Sequence, residues 1–141
     1  MPYDEHETGP RAVLERWRQA AVDQSADDMR LVYAPDAVHE FPFTLPGLPS
    51  RLAGREEIVS WIAEGWQAGP LKYERYRTIA VHDTTDPDTL VVEQEAIGTS
   101  ATTGAFTLPN LVVLTVRDGR IVRLRDYVNI PAAAAAMGRA L

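Results

Sequence analysis

The spacing of apolar residues changes once along the chain. Before Leu71, apolar side chains recur every three or four positions, which is typical of helices that bury one face. From Leu71 onwards, apolar and polar residues alternate, which is typical of strands in a sheet with one buried face. The pattern therefore predicts an α+β domain in which N-terminal helices cover one face of a curved, mixed or antiparallel sheet.

The first two helices are predicted from their apolar stripes and from the residues at their ends. Pro10 suits the start of the first helix, whose inward positions are Val13, Leu14, Trp17 and Ala21. Ser25 can cap a short second helix, and Pro35 is expected to end it. The residues that this helix should turn inward are Met29, Leu31 and Val32.

A short strand, a loop and a third helix are predicted next. The strand is "VHEFPF", and the loop is "TLPGLPSRLAG", which is rich in proline and glycine. In the helix "REEIVSWIAEGW", the apolar residues that recur every four positions are Ile58, Ile62 and Trp66. Glu56 and Glu57 fall in its first turn, where the helix dipole favours negative charge.

Four long strands are predicted after Leu71: "LKYERYRTIAVHD", "TLVVEQEAIGTSA", "GAFTLPNLVVLTVRD" and "RIVRLRDYVNI". Asp118-Gly119 is the strongest hairpin signal between them. The Ala-rich end, "PAAAAAMGRAL", predicts a short helix or a fraying tail. We therefore expect a polar tail at residues 1–10, one domain over residues 11–131, and this last segment at residues 132–141.

One polar residue interrupts the apolar face of each of the last three strands. The exceptions are Gln94, Asn110 and Asp126, and their apolar neighbours on these faces include Val112 and Leu124. Curved over helices, such a face could enclose a mostly apolar pocket with a few convergent polar groups, the usual form of a small-molecule site. We therefore predict that these five residues bind a ligand.

Asp126 is the first candidate for catalysis, because a carboxylate on an apolar face suits a general acid or base. The alternative interpretation is structural: a strand Asp can cap a loop or pair with Arg123 or Arg125. Asn110 and Gln94 could equally be hydrogen-bonded amides of the core.

His39 is the second candidate acid or base. It alternates with Phe41 and Phe43 on one face of the first predicted strand, so all three could line the pocket. A hydrogen-bonded core histidine is the alternative. Trp61 lies off the apolar stripe of the third helix and is predicted to line a pocket or an interface.

Tyr73 and Tyr76 are candidate hydrogen-bond donors to a ligand. A tyrosine hydroxyl in an apolar pocket is a natural donor to an oxygen that gains negative charge. In a regular strand these two residues fall on opposite faces, so at most one of them is expected to point inward. The sequence does not say which.

The composition excludes several classes of function. A net charge of −6 without blocks of like charge argues against a surface for nucleic acid or anionic membrane. The absence of cysteine excludes disulfides, thiolate chemistry and Cys-ligated metals. No His, Asp or Glu grouping has metal-ligand spacing, and no phosphate loop, nucleophile elbow or dinucleotide fingerprint is present, so we expect neither metal nor cofactor.

The chain also lacks signals for export or membrane insertion. Its first residues, "MPYDEHETGP", are polar and acidic, unlike a signal peptide. No apolar run approaches the roughly 18 residues of a membrane-spanning helix. We therefore expect a cytoplasmic protein without membrane contact.

The layout resembles the nuclear transport factor 2-like cone fold, and within it the SnoaL-like branch of polyketide cyclases and ketosteroid-isomerase relatives. The likeness is carried by "APDAVHEFPFTLPGLPSRLAGREEI", "DPDTLVVEQEAIGTS" and "DGRIVRLRDYVNI". The chain is also similar to the phenazine-biosynthesis A/B proteins, whose last strand ends in an acidic residue, an aromatic and Asn-Pro. The matching residues are Asp126, Tyr127 and Asn129, but Ile130 separates Asn129 from Pro131.

This resemblance implies a dimeric, cofactor-free protein with a deep pocket between sheet and helices. In relatives of known activity an acidic residue on the pocket side does acid/base chemistry, and that role transfers to Asp126 alone. Phenazine-type relatives carry a glutamate there, which is one methylene longer. The Tyr and protonated Asp of ketosteroid isomerases have no identifiable counterparts, which argues against a steroid isomerase.

Three functions follow as expectations. The first is an enzyme that binds a hydrophobic carbonyl compound and uses Asp126 for proton transfer in isomerisation, cyclisation or condensation. The second is a ligand-binding or assembly protein that uses the same pocket without chemistry. The third is a water-adding hydrolase of the epoxide-hydrolase type. A homodimer is expected through the outer face of the sheet, where Ile121 and Tyr127 are interspersed with arginines.

Overall fold

Four helices and six strands make up residues 8–139, the part of the chain that the computed structural model describes. The helices are α1 (Pro10–Asp23), α2 (Ala26–Val32), α3 (Arg55–Ala68) and α4 (Ile130–Ala136). The strands are β1 (Tyr33–Glu40), β2 (Arg51–Ala53), β3 (Leu71–Asp83), β4 (Thr89–Ser100), β5 (Gly104–Arg117) and β6 (Arg120–Val128). Most of the predicted polar tail, residues 1–7, lies outside the described residues, as do residues 140 and 141.

The six strands form one curved, unclosed sheet in the order β2-β1-β6-β5-β4-β3. β1 runs parallel to β6, and every other neighbouring pair is antiparallel. The predicted α+β class and the mixed sheet are confirmed. The hairpin at Asp118-Gly119 is confirmed as well: both residues have positive φ, 52° and 75°, as the tight turn between twisted strands requires.

The helices cover the inner face of the sheet, which is the face that carries Val92, Val112 and Leu124. α1 begins at Pro10 and buries the predicted stripe, and the Ser25 side chain caps α2 by accepting the Asp28 amide hydrogen at 3.1 Å. Burying each such aliphatic side chain contributes about 1.5–3 kcal/mol, so this layer is the main source of stability.

Two predictions around α2 are wrong. Leu31 is exposed, because a helix of only seven residues can turn few positions towards the core. Pro35 does not end the helix, since β1 has already begun at Tyr33. The pairing of β1 with β6 is irregular between Tyr33 and Val38, and this break accommodates a residue that has no amide hydrogen to donate.

The region after β1 also differs from the prediction. The predicted strand continued to Phe43, but β1 ends at Glu40, so Phe43 does not share a face with His39 and is 61% exposed. The predicted loop contains the short strand β2, which pairs with the end of β1. Three residues are too few to produce a readable alternation, which is why this strand was missed.

Irregular pairing at two points changes which residues face inward. In β3 the register with β4 shifts between Tyr73 and Arg75, so Tyr73 and Tyr76 both lie on the inner face. The prediction that only one could do so is wrong, because an extra residue at a bulge resets the alternation. A second shift, near the start of β6, buries Ile121 completely, so Ile121 is not part of the outer face.

The Ala-rich segment forms α4 rather than a fraying tail. The Asn129 side chain caps it by accepting the Ala132 amide hydrogen at 3.1 Å. The Thr103 hydroxyl donates to the Ala136 carbonyl at 2.7 Å and ties the helix to the loop before β5. None of the helices within residues 8–139 is long and apolar enough to cross a membrane.

Candidate functional site

Asp126 lies on the inner face of β6 with 15% of its side chain exposed. Each of its two carboxylate oxygens has one hydrogen-bond partner. Asn110 Nδ2 donates to Oδ1 at 2.9 Å, and His39 Nε2 lies 3.2 Å from Oδ2. The strand register brings these three side chains together. Asn110 lies opposite Val128, which follows Asp126 by two residues on the same face. His39 lies opposite Leu124, which precedes Asp126 by two residues.

The hydrogen-bond chain continues from His39 into the core. His39 Nδ1 lies 3.0 Å from the Tyr33 hydroxyl, and Trp17 Nε1 donates to that hydroxyl at 3.2 Å. Tyr33 is fully buried and His39 is 2% exposed. Burial raises the pKa of the Tyr33 hydroxyl far above its ordinary value, so this group stays protonated.

A second chain leaves Asp126 on the Asn110 side. Gln94 Nε2 donates to Asn110 Oδ1 at 3.4 Å, and Arg18 Nε donates to Gln94 Oε1 at 2.9 Å. Arg18 Nη1 bonds Glu15 and Thr78, while Nη2 is buried without a partner in the described part of the chain. Both chains therefore end on α1, at the successive residues Trp17 and Arg18.

Aromatic rings flank the carboxylate on two sides. On the β1 side, Phe41 packs 4.7 Å from the His39 ring, and Trp61 lies 5.1 Å beyond Phe41, between ring centres. On the β3 side, Tyr73 packs edge-on against Tyr76 and Phe106, at 5.8 and 5.9 Å. An apolar, ring-bearing molecule is the kind of ligand that such walls complement.

Burial and the nearby charge of Asp126 raise the pKa of Tyr73 to about 12. Burial, followed by the neighbouring Tyr73 and the charge of Asp126, raises the pKa of Tyr76 well above its ordinary value. Both phenols are therefore neutral near pH 7 and carry a proton that they can donate. The inner face thus combines one carboxylate with hydroxyl donors of suitable protonation.

The structure brings most of the predicted site residues together. Asp126, His39, Asn110 and Gln94 are joined by hydrogen bonds, and Phe41 and Trp61 pack beside them. Val112 and Leu124 are fully buried in the core beneath, next to Asp126 and His39 in the register. Phe43 is the exception: its ring packs 5.5 Å from Tyr127, on the outer face.

The structural interpretation of Asp126 as the partner of a neighbouring arginine does not describe this site. Arg123 Nε donates to Glu40 at 2.5 Å on the outer side of the sheet. Arg125 lies over the Tyr127 ring, with its Cζ 5.7 Å from the ring centre. Asp126 is bonded instead to a histidine and an amide.

Two members of the network were missed by the sequence reading. Arg18 follows Leu14 by four residues, so it lies on the apolar stripe of α1, and a charged residue there was a readable signal. Tyr33 carried no signal, because its neighbourhood was assigned to the end of a helix. Trp17 was recognised only as a core residue.

A groove of about 840 Å³ opens on the other face of the sheet. Its lining includes the outward side chains Ile79, Glu93, Leu111 and Tyr127, with Phe43 beside them. Gln94 and Asn110 also contribute, at the centre of their strands. The groove is therefore not the pocket predicted on the inner face, and that pocket stays a prediction.

Each oxygen of Asp126 accepts one hydrogen bond and keeps a lone pair that can take a proton. Within residues 8–139, no cluster of three or more His, Asp or Glu side chains could hold a metal ion.

Comparison with known proteins identifies relatives over most of the chain. The SnoaL-like domain family matches residues 14–124. The uncharacterised protein YesE of Bacillus subtilis is 32% identical over 95 residues, which are 67% of this chain and 63% of YesE. An uncharacterised PhzA/B-like protein of Pseudomonas aeruginosa is 31% identical over 103 residues, 70% of this chain and 68% of that protein.

Solved structures share the fold. A proposed isomerase from Bacillus subtilis superposes with a TM-score of 0.85 at 25% identity, over 99% of both chains. A protein of ketosteroid isomerase-like fold from Catenulispora acidiphila has a TM-score of 0.70 at 18% identity, over 94% of this chain and 96% of that one. A proposed polyketide cyclase from Pseudomonas putida has a TM-score of 0.71 at 14% identity, over 92% of this chain and 98% of that one.

Proposed function

We propose that this chain, which belongs to the SnoaL-like family, is an enzyme that moves a proton on a hydrophobic carbonyl compound, with Asp126 as the base. The observation that carries the proposal is the setting of the carboxylate. Asp126 is held by two donors, His39 and Asn110, and is flanked by aromatic rings. A carboxylate in such surroundings is oriented at both oxygens and has no arginine bonded to it, and its remaining lone pairs can accept a proton.

The chemistry that this setting favours is removal of a proton from a carbon next to a carbonyl group. The C–H bond breaks, the proton moves to an Asp126 oxygen, and the electron pair moves onto the carbonyl oxygen as an enolate. Hydroxyls of Tyr73 and Tyr76, on the same face, are suited to donate to that oxygen. Return of the proton at another carbon completes an isomerisation. Alternatively, the enolate carbon forms a bond to a second carbonyl carbon, whose C=O π pair moves onto oxygen, and the proton on Asp126 passes to this alkoxide, which completes a cyclisation or aldol-type condensation.

Deuterium exchange tests this function without knowledge of the natural substrate. Aryl ketones such as α-tetralone and acetophenone are incubated with the protein in D₂O, and incorporation at the α-carbon is followed by NMR. We expect Asp126→Asn to slow the protein-dependent exchange by roughly 10²–10⁴-fold, the usual contribution of a general base. Glu40→Gln, on the outer side of the same strand pair, is the matched control and should exchange like the wild type. Exchange by Asp126→Asn at the wild-type rate would overturn the proposal.

A second candidate, a binding or assembly protein without chemistry, is favoured by one observation. The groove of about 840 Å³ lies on the outer face, away from Asp126. If the wild type exchanges α-protons no faster than buffer does, while the same ketones bind and shift its NMR spectrum, this candidate is preferred.

The occupant that we propose for the groove is a second copy of the chain. Apolar side chains of three strands line it, among them Ile79 of β3 and Leu111 of β5, with Ile79 55% exposed. Glu93 and Glu95 of β4 lie between these two strands and are paired with His82 and Arg77 of β3. The apolar side chains therefore carry the proposed contact, and a two-fold axis would pack the groove of each copy against that of the other.

Sedimentation checks this arrangement. The wild type should sediment as a dimer, and the double variant Ile79→Lys/Leu111→Lys as a monomer, because two buried charges oppose the contact. Leu31→Lys is the control, since Leu31 is an exposed leucine on α2, and this variant should remain dimeric. A monomeric wild type would exclude the dimer.

A further inference from the structure

Two successive residues of α1 begin the two hydrogen-bond chains that meet at Asp126. We name them the Trp17 arm (Trp17, Tyr33, His39) and the Arg18 arm (Arg18, Gln94, Asn110). We infer that Trp17 and Arg18 are positioning residues, which set the direction of every hydrogen bond in their arms and thereby fix both oxygens of Asp126. The inference deepens the proposed function and rests on it, because it assigns the groups that hold the base.

The direction of the Trp17 arm follows from what each group can donate. An indole has a donor and no acceptor, so Trp17 Nε1–H points to the Tyr33 oxygen, 3.2 Å away. An ionised Asp126 only accepts, so the proton of a neutral His39 is on Nε2, which faces Oδ2 at 3.2 Å. His39 Nδ1 then accepts from the Tyr33 hydroxyl at 3.0 Å. The arm therefore selects one tautomer of His39 from both sides.

In the Arg18 arm, too, each hydrogen bond is donated in the direction of Asp126. A guanidinium only donates, so Arg18 Nε–H requires the oxygen of the Gln94 amide to face it, at 2.9 Å. The Gln94 NH₂ group then faces Asn110 Oδ1 at 3.4 Å, and the Asn110 NH₂ group faces Asp126 Oδ1 at 2.9 Å. A flipped Gln94 amide would place a donor against a donor. Arg18 therefore orients two amides in sequence, although it does not touch the carboxylate.

Burial makes this arrangement rigid. Trp17, Arg18, His39 and Gln94 are each less than a tenth exposed, so water cannot readily replace a lost partner. With both oxygens held by donors in fixed positions, the remaining lone pairs of Asp126 keep one direction relative to the aromatic walls. Breaking an arm should therefore reduce the rate of proton transfer more than it reduces ligand affinity.

The Trp17 arm is tested through the nitrogen atoms of His39. In a long-range ¹H–¹⁵N spectrum of protein labelled with [¹⁵N]histidine, the wild type should show His39 as the Nε2–H tautomer, assigned by its loss in His39→Gln. In Tyr33→Phe the Nδ1 signal should move towards that of a nitrogen without a hydrogen bond. Tyr127→Phe makes the same chemical change on the outer face and should leave the His39 signals in place. In Tyr33→Phe the indole N–H of Trp17 loses its acceptor, and this variant could fail to fold for that reason. The double variant Trp17→Phe/Tyr33→Phe removes that N–H and repeats the test.

The Arg18 arm is tested by Gln94→Leu, which breaks it at its centre. The Asn110 side-chain NH₂ signals should shift, and their exchange with solvent should accelerate. Gln19→Leu is the matched control, because Gln19 is an exposed glutamine that donates to Asp23 on the same helix. In the α-tetralone assay, Tyr33→Phe and Gln94→Leu should each lower kcat about 10- to 100-fold, the range seen when groups that orient a functional side chain are removed. KM should change less than kcat.

The outcomes separate this inference from the proposed function. An Nδ1–H tautomer of His39 in the wild type, or Asn110 signals unmoved by Gln94→Leu, would overturn the positioning role and leave the Asp126→Asn result standing. Wild-type exchange by Asp126→Asn would overturn the base itself, whatever the His39 spectrum shows.

Discussion

Two carboxylates on opposite sides of the β1–β6 strand pair have opposite kinds of partner. On the outer side, Glu40 bonds Arg123 at 2.5 Å, and this bond, with the charges of Arg123, Arg125 and Arg51, lowers the pKa of Glu40. On the inner side, Asp126 accepts from the ring of His39 and the amide of Asn110. One carboxylate is paired with an arginine near solvent, and the other is bonded to a histidine ring and an amide near the core.

This difference in hydrogen-bond partners separates the acid that is paired with arginine from the acid that we propose as the base. A bonded guanidinium stabilises the ionised carboxylate and so makes it a weaker base. At Asp126 an imidazole ring and an amide, rather than a guanidinium, fix the direction of the two oxygens. The position of a carboxylate relative to arginine, rather than its burial alone, therefore distinguishes Asp126 from Glu40.

The largest expected effect comes from removing the imidazole on the inner side. His39→Leu keeps similar volume but leaves the proton of the Tyr33 hydroxyl without an acceptor and one Asp126 oxygen without a donor in a buried region. We expect the free energy of unfolding to fall by about 3 kcal/mol, since each buried unsatisfied group costs roughly 1–3 kcal/mol. Urea denaturation measures this value. A loss below about 1 kcal/mol would show that the inner network is no more tightly coupled to folding than a surface ion pair.

An intermediate effect is expected at alkaline pH, again on the inner side. The pKa of Tyr73 is about 12 in the folded protein and about 10 when the chain is unfolded. The unfolded chain therefore releases the proton first, and stability should fall as pH rises from about 10 to about 12. Over this range the free energy of unfolding of Tyr73→Phe should fall less than that of the wild type. The two should differ by up to about 2–3 kcal/mol, since one pKa unit corresponds to about 1.36 kcal/mol. Parallel curves for the two proteins would contradict the assignment.

The smallest effect is expected on the outer side, and it has the opposite pH dependence. Because the pKa of Glu40 is lowered in the folded protein, its contribution is present above the ordinary value of about 4.5 and is lost as pH falls through the folded value. Glu40→Gln should cost about 0.2–1 kcal/mol at pH 7, as exposed ion pairs do, and less in high salt. The difference from the wild type should shrink as pH falls below 4.5 and vanish once Glu40 is protonated in the folded protein. A difference that persists there would mean that packing, not charge, is what Glu40 contributes.

The long strands and the identity of the central acid could be predicted because they depend on local pattern. Alternation over β3 to β6 placed Gln94, Asn110 and Asp126 on one face, and the structure joins them through hydrogen bonds. The same reasoning placed His39 inward. It failed at Phe43, because β1 ends at Glu40, three residues before Phe43, and no change in the apolar pattern marks that end.

The partners of these residues could not be predicted in the same way. Tyr33 and His39 meet within β1, but Trp17 and Arg18 reach the site only because α1 crosses the inner face at one particular position. Such a crossing depends on how all the side chains in the layer pack together, and no window of sequence contains that information. Only the position of Arg18 on an apolar stripe gave a local indication.

The sequence by itself therefore determined the α+β class, the four long strands with the hairpin at Asp118-Gly119, and the presence of one acid on an apolar face, since these follow from periodicity and turn residues. The tertiary structure decided that Tyr73 and Tyr76 share a face, that Ile121 is buried, and that His39 and Asn110 hold the two oxygens of Asp126. The physical reason is that a bulge shifts the alternation by one residue without a local signal, and that hydrogen bonds between distant elements exist only once the layers have packed.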